Sequence, residues 1–269
     1  MRKLSLEEIH DEQFKILDET IKYLDRNNIT YYLVYGTLLG AVRHEGFIPW
    51  DDDVDIALPR PDFERLIELS KNNPISDHLE VIDFSLGNSK RPISKVINKN
   101  ISVKSLSKED KYLWIDLFVI DGLPDKDEDI IKLYKKQDFY KGLIYLKTNS
   151  FKNILNEKKS LKNRLLKIFL KPIAMLIPIS FSSKKIIKLG KEYDFETSKN
   201  IGIFIWGIGI CEKLSKDYLD ICKVKFNGKK FNAYKKYNDY LKQMYGDYMK
   251  LPSIEKRKNH SVEAYRIGK

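Results

Sequence analysis

The stretch Tyr35–Gly36–Thr37–Leu38–Leu39–Gly40–Ala41–Val42–Arg43–His44–Glu45–Gly46–Phe47–Ile48–Pro49–Trp50–Asp51–Asp52–Asp53–Val54–Asp55–Ile56 decides how the chain is read. Four acids fall within five positions at the entrance to an apolar strand. Like charges a few ångströms apart repel by about 4 kcal/mol per pair at an effective dielectric near 20. A divalent cation removes that penalty, and hard oxygen donors suit Mg²⁺ or Mn²⁺. Asp53–Leu58 alternates acid and apolar residues, which predicts a strand with Val54 and Ile56 on one face. Asp53 and Asp55 then share the other face, Asp51 extends their row, and Asp52 points away. A solvated acidic turn is the competing reading, but a turn does not require the strand pattern to continue through Ile56.

Outward from this block, Trp114–Ile115–Asp116–Leu117–Phe118 supplies a third carboxylate, a lone acid in an apolar strand. A buried Asp satisfied by backbone is its alternative. Asp121, beside Gly122, reads as a turn residue. Gly36–Thr37, between a strand over Ile29–Tyr35 and a short helix over Leu38–Arg43, could turn backbone N–H groups toward an anion. Arg43 and His44 follow that helix within reach of a bound phosphate. Lys95 is either a phosphate ligand or a snorkelling lysine in an apolar strand.

Ser5–Leu6–Glu7–Glu8 has the form of a capping box, and Ile9, Ile16, Leu17, Ile21 and Leu24 recur at helical spacing behind it. Asp62 opens another helix, with Phe63, Leu66, Ile67 and Ser70 on its inner stripe. Leu79–Phe84, Pro92–Ile97 and Trp114–Ile120 read as strands, ended by the break at Gly122–Leu123–Pro124. Beyond it the pattern is helical over 127–147, 160–170, 183–198 and 238–245. The expected class is α/β (α+β), a mixed sheet core flanked by helices with a helical, basic second half. Its parts are an N-terminal helix (1–30), a core (31–125), a mostly helical region (126–222) and a basic C-terminal segment (223–269).

The 269 residues carry a net charge of +11, unevenly spread. Residues 152–191 hold eleven Lys and Arg against one acid, Glu157, and residues 223–269 hold thirteen against four. Such asymmetry points to an anionic partner met by one surface. Two cysteines, Cys211 and Cys222, are too few for a disulfide framework and fit reduced thiols. No secretory signal is visible, and Leu165–Phe181 is broken by Lys167, Lys171, Pro172 and Pro178, too short for the roughly 20 apolar residues of a span. The expected location is the cytoplasm, with the basic region either a solvated surface or docked on the anionic inner leaflet of the plasma membrane.

The series Gly36–Thr37, Asp53-x-Asp55 and Asp116 resembles the nucleotidyltransferase superfamily. The full block Tyr35–Ile56 resembles more closely the LicD family of phosphocholine transferases, distantly similar to the fukutin-related ribitol-phosphate transferases. The similarity extends to Asp121–Gly122–Leu123–Pro124 and to Tyr245–Gly246–Asp247–Tyr248–Met249 with Leu251–Pro252, Arg257 and His260, covering about residues 5–125 and 224–260. One departure is Gly-Thr where the wider superfamily favours Gly-Ser, which keeps the hydroxyl. The resemblance implies a nucleotidyltransferase-like core. It also implies transfer of phosphocholine from CDP-choline to a hydroxyl of a cell-surface glycan or its lipid-linked precursor, with CMP leaving. Asp53, Asp55 and Asp116, with Asp51, would hold Mg²⁺ or Mn²⁺, two ions in all. Gly36, Thr37, Arg43, His44, Lys95, Arg257 and His260 would contact phosphates, and the residue that takes the acceptor's proton stays open. Other CDP-linked alcohols (ribitol, glycerol, ethanolamine), or an NTP in a true nucleotidyltransferase, use the same aspartates. A nucleic-acid-binding module is the reading from another class, and it is disfavoured: the acidic cluster repels a phosphate backbone.

Overall fold

The computed structural model describes residues 2–104, 111–156, 160–257, 259 and 262–267. After a two-residue strand β1 (Arg2–Lys3), helix α1 (Leu6–Arg26) opens at the expected capping box: Ser5 Oγ accepts from Glu8 N–H while the Glu8 carboxylate accepts from Ser5 N–H. Its stripe Ile9, Ile16, Leu17, Ile21 and Leu24 is buried.

The strand expected over Ile29–Tyr35 is reduced to β2 (Tyr32–Leu33), because helix α2 (Tyr35–His44) begins three residues earlier than the sequence suggests. Then follow β3 (Asp55–Pro59), α3 (Arg60–Ser70), β4 (Leu79–Ile82), β5 (Ser94–Lys104) and β6 (Tyr112–Leu123). β6 runs three residues past the expected Ile120, through Asp121 and Gly122, which pair with Gly202 and Ile201 of β7 (Asn200–Ile203), and it ends at Leu123, within the expected break at Gly122–Leu123–Pro124. Gly122 is needed there for space, since a Cβ would lie 2.6–2.8 Å from Ser198 Oγ and from the Tyr193 and Asp194 carbonyls.

Four helices intervene between β6 and β7. They are α4 (Asp127–Thr148), α5 (Phe151–Leu155), α6 (Leu161–Leu176) and α7 (Ile179–Gly190). Helix α6 continues through Pro172, and α7 ends eight residues short of the expected Ser198. The chain then forms β8 (Leu214–Ser215), a hairpin of β9 (Ile221–Phe226) and β10 (Lys229–Tyr234), helix α8 (Tyr237–Tyr245) and β11 (Glu263–Arg266).

The mixed sheet runs β1-β11-β5-β6-β3-β2, with β4 added to β5 and β7–β8 added to β6; β3 and β6 are its parallel pair. A main core packs α1, α2 and the hairpin around this sheet, and a smaller cluster of Leu123, Ile130, Tyr134, Ile186 and Phe204 seats α4 and α7. The mixed α/β class expected from the sequence is the class observed. No single helix among the described residues is long and apolar enough to cross a membrane; α6 and α7 would qualify only together, and they are bent by 95°.

Candidate active site

Register sets the centre of the site. Asp55 of β3 stands directly opposite Asp116 of β6, and Asp116 stands opposite Lys95 of β5. Residues opposite one another share a sheet face, so Asp55, Asp116 and Lys95 form one row across three strands. Lys95 Nζ lies 3.8 Å from Asp116 Oδ1 and 3.8 Å over the Trp114 ring, whose Nε1–H donates to Asp116 Oδ2 at 3.0 Å. Burial pushes the Asp55 carboxyl well above the usual range, and the negative charges of Asp53, Asp116 and Asp51 push it further. The four carboxylates are thus electrostatic neighbours. Among the described residues, however, no three His, Cys, Asp or Glu side chains close into a ready-made metal cage.

The loop that carries Asp51–Asp53 is held from α1. His10 Nε2 donates to the Asp51 carbonyl at 2.6 Å while its ring stacks on Phe47, and Gln13 Nε2 donates to the Asp52 carbonyl at 2.9 Å. Asp52 does turn away from the row: it is buried, and its Oδ2 accepts from Val262 N–H at 2.9 Å, tying in the C-terminal strand.

Gly36 and Thr37 lie in the first turn of α2 rather than in a turn ahead of it. A Cβ on Gly36 would stand 2.8 Å from Asp51 Oδ2, so the missing side chain is what lets that carboxylate approach the helix start. Thr37 is buried, and its Oγ1 accepts from Asp55 N–H at 2.8 Å. Its hydroxyl oxygen positions β3.

Tyr35 takes up the chain reversal with a left-handed φ of 48°, a conformation that costs a non-glycine residue about 1–3 kcal/mol. It is held by its hydroxyl, which donates to Glu212 Oε1 at 2.8 Å, and by edge-on contact with Phe118. Burial raises the Glu212 carboxyl to about 7 against donation from Tyr35 and from Ile208 N–H. Between pH about 4.5 and 7 the folded state therefore binds more protons than the unfolded one, and stability falls as pH rises through that window. At 1.36 kcal/mol per unit the effect reaches about 3 kcal/mol. Glu212→Gln keeps the acceptor for Tyr35 and removes the titration. In urea unfolding the variant should match the wild type near pH 4.5 and exceed it by up to about 3 kcal/mol at pH 8; parallel pH profiles for the two proteins would refute this.

A group of cations gathers at the end of α2. Arg43 Nη1 donates to the Tyr248 carbonyl at 2.8 Å, its Nε–H donates to His44 Nε2 at 3.0 Å, and the Arg257 guanidinium lies 4.5 Å over the Trp50 ring. Burial, then the charge of Arg257, lowers the Arg43 pKa; burial, then Arg43, lowers that of His44. A guanidinium whose charge is disfavoured by a neighbouring cation is suited to an anion beside it. Tyr245 of α8 is an electrostatic neighbour of the row, its phenol raised first by burial and then by Asp55 and Asp51. Sequence reasoning left Tyr245 without a role, although it opens the tail motif. His260 lies outside the described residues. Asp121 is not a turn residue: it sits within β6, buried, with its Oδ1 2.6 Å from Arg60 Nη2.

Residues 28–152 match the LicD/FKTN/FKRP nucleotidyltransferase-domain family. The chain is 29% identical over 98% of its length to the lipopolysaccharide cholinephosphotransferase LicD of Haemophilus influenzae, of which it covers 99%. Uncharacterized proteins of Rickettsia prowazekii and Rickettsia typhi match 49 residues at 49% identity, 18% of this chain and 18% and 16% of theirs. The family domain is laid over the aspartate row and the likeness to the Haemophilus protein runs almost end to end, so the chain is similar to the LicD family over nearly its whole length.

Proposed function

We propose that this protein is a transferase that moves phosphocholine from CDP-choline to a hydroxyl of a cell-surface glycan, releasing CMP. The observation that carries the reading is the pairing of Asp55 with Asp116 on adjacent parallel strands, with Asp53 and Asp51 close enough to perturb Asp55. The donor set fits Mg²⁺ or Mn²⁺: it is all oxygen and crowded, with Lys95 beside Asp116 at one edge. An open row rather than a closed cage also fits, because Mg²⁺ is usually held by one or two carboxylates plus substrate phosphates. Asp53, Asp55 and Asp116 would hold the metal, which when bound offsets the charge of the diphosphate.

The chain's own residues do the rest. Arg43 and Arg257 bind phosphate, and Lys95 keeps Asp116 oriented. Thr37 fixes the backbone of Asp55, and Tyr245 of α8 stands near the row. The Trp50 and Trp114 faces already carry Arg257 and Lys95, so they accept cations; a quaternary ammonium binds aromatic faces in the same way. Tyr32, another aromatic candidate for choline, is core: it stacks on Tyr234 and donates to the Leu219 carbonyl at 2.5 Å.

The test is incubation of the purified protein with CDP-choline, lipopolysaccharide lacking choline, and Mg²⁺. CMP release and labelled glycan are expected. CMP release with CDP-ribitol or CDP-glycerol but not CDP-choline would move the reading to another alcohol, and pyrophosphate from CTP would replace it with nucleotidyl transfer.

A membrane-bound acceptor accords with α6, which leaves Leu165, Leu166, Phe169, Ile173 and Leu176 more than half exposed beside Lys162 and Lys167. Flotation with anionic vesicles at physiological salt is the expected result, and absence of flotation ends that part of the proposal.

A further inference from the structure

Val119 is three residues beyond Asp116 on β6, so it faces the opposite side of the sheet from the aspartates. There it forms part of the floor of a cavity of about 880 Å³ walled by α3, α4 and α7, within the roughly 300–1,000 Å³ of small-molecule sites. The floor is apolar, built from Phe63, Ile67, Phe84, Val119 and Ile205. The wall is basic. Three of its cations are neutralised within the protein, Arg60 by Asp121 and Lys191 by Glu64, each at 2.6 Å, and Lys71 by Glu68 at 2.5 Å. Lys136, Lys184, Lys185 and Lys188 have no carboxylate within 4.0 Å among the described residues, and all four are exposed.

The neutral polar groups of the wall are mostly spent. Ser94 Oγ donates to Asp83 Oδ2 at 2.6 Å, and Ser85 donates to Asp83 Oδ1. No carboxamide lines the cavity among the described residues. Nothing of that kind is on hand to read the edge of a nucleotide base, whereas fixed cations above an apolar floor suit an apolar chain with an anionic head. The wall also leads outward: Tyr140 meets Phe181 edge-on at 6.5 Å, and Phe181 is 46% exposed.

We propose that this cavity is a second ligand site, on the sheet face opposite the aspartates, that takes a single-chain amphiphile bearing a phosphate head. The lysines bind the head by charge and the floor takes the chain by burial. The site is independent of the transfer reaction, and its test uses no activity measurement.

The full-length protein is titrated by calorimetry with decyl phosphate below its micellar concentration, and in parallel with decyltrimethylammonium and with inorganic phosphate. Saturable one-to-one binding of decyl phosphate is expected, with none of the cationic amphiphile and none of inorganic phosphate alone. Lys184→Glu/Lys188→Glu should weaken it at least tenfold, and Phe169→Asp on α6 should leave it unchanged. Lys188→Ala repeats the comparison without charge reversal, and circular dichroism checks that each variant is folded. No binding, equal binding of the cationic amphiphile, insensitivity to the lysine changes, or loss through Phe169→Asp alone (adsorption to α6) would each overturn the proposal. Binding of inorganic phosphate as tight as that of decyl phosphate would overturn the amphiphile assignment.

Discussion

Asp55→Asn and Asp116→Asn each lower phosphocholine transfer by about 10²–10³-fold or more, the scale on which a group that stabilises developing charge is felt, and neither unfolds the protein. Both substitutions are isosteric. At Asp55 the charge is a burden to the fold without metal: the group is buried, and three neighbouring carboxylates raise its pKa. Asn keeps the volume and removes the repulsion, so the melting temperature of Asp55→Asn without divalent cation should equal or exceed that of the wild type. Mg²⁺ should raise the wild-type melting temperature, since a ligand bound only by the native state stabilises it, and should leave Asp55→Asn where it was. Asp52→Asn is the internal comparison. Its side chain accepts from Val262 N–H and takes no part in the row, so an amide oxygen can replace it and turnover should stay within a few-fold. Near-wild-type turnover by Asp55→Asn, or equal losses at positions 52 and 55, would sink the assignment of roles within the acidic block.

That block was legible because strand alternation is a local rule. Two-residue periodicity separates Asp55 from Val54 and Ile56 without knowledge of any partner strand, but the strand expected from Asp53 begins at Asp55, and Asp51–Asp53 lie in the loop ahead of it, held by His10 and Gln13 of α1. The apolar–Asp–apolar pattern at 114–118 marks a strand by the same rule. Its pairing with β3 rather than with another strand is tertiary information that the sequence does not print. The reading of Gly36 went wrong at the helix start. Tyr35, an aromatic residue in a β-rich run, adopts a left-handed backbone because Glu212, 177 residues away, holds its hydroxyl. Propensity has no access to such a contact. At Gly122–Leu123–Pro124 the strand does end, but Gly122 itself belongs to it, and its absent Cβ serves close packing against Ser198 and two carbonyls. The β9–β10 hairpin did carry a local signal. Asn227–Gly228 joins two alternating segments, and both residues have positive φ, 46° and 78°, as a tight hairpin turn requires. The density of lysine there conceals the alternation.

Arg60→Ala should be the most damaging change to stability outside the aspartate row, because it leaves Asp121 buried without its counter-charge. The pair joins the first residue of α3 to β6, with Arg60 Nε and Nη2 at 2.8 and 2.6 Å from Asp121 Oδ1. Asp121 Oδ2 has no hydrogen-bond partner among the described residues and faces Gly190, where a Cβ would lie 3.0 Å away. Even with Arg60 in place, burial raises the Asp121 carboxyl to about 6. Breaking a buried pair from one side typically costs about 3–5 kcal/mol. Here the cost depends on pH with a definite sign. Without the guanidinium the Asp121 pKa rises further, so the folded variant retains a proton that the unfolded chain loses above about pH 4. Destabilisation relative to wild type should thus be full at pH 8 and shrink toward pH 5, where Asp121 is protonated in the variant and its charge need not be buried. Arg60→Met/Asp121→Leu removes both charges and should recover most of the loss at pH 8, since an apolar pair of similar volume often equals a buried ion pair. Urea unfolding at the two pH values decides. A loss below about 1 kcal/mol at pH 8, the scale of an exposed pair, or a loss that does not shrink at pH 5, would show that the Arg60–Asp121 contact does not carry the junction between α3 and β6.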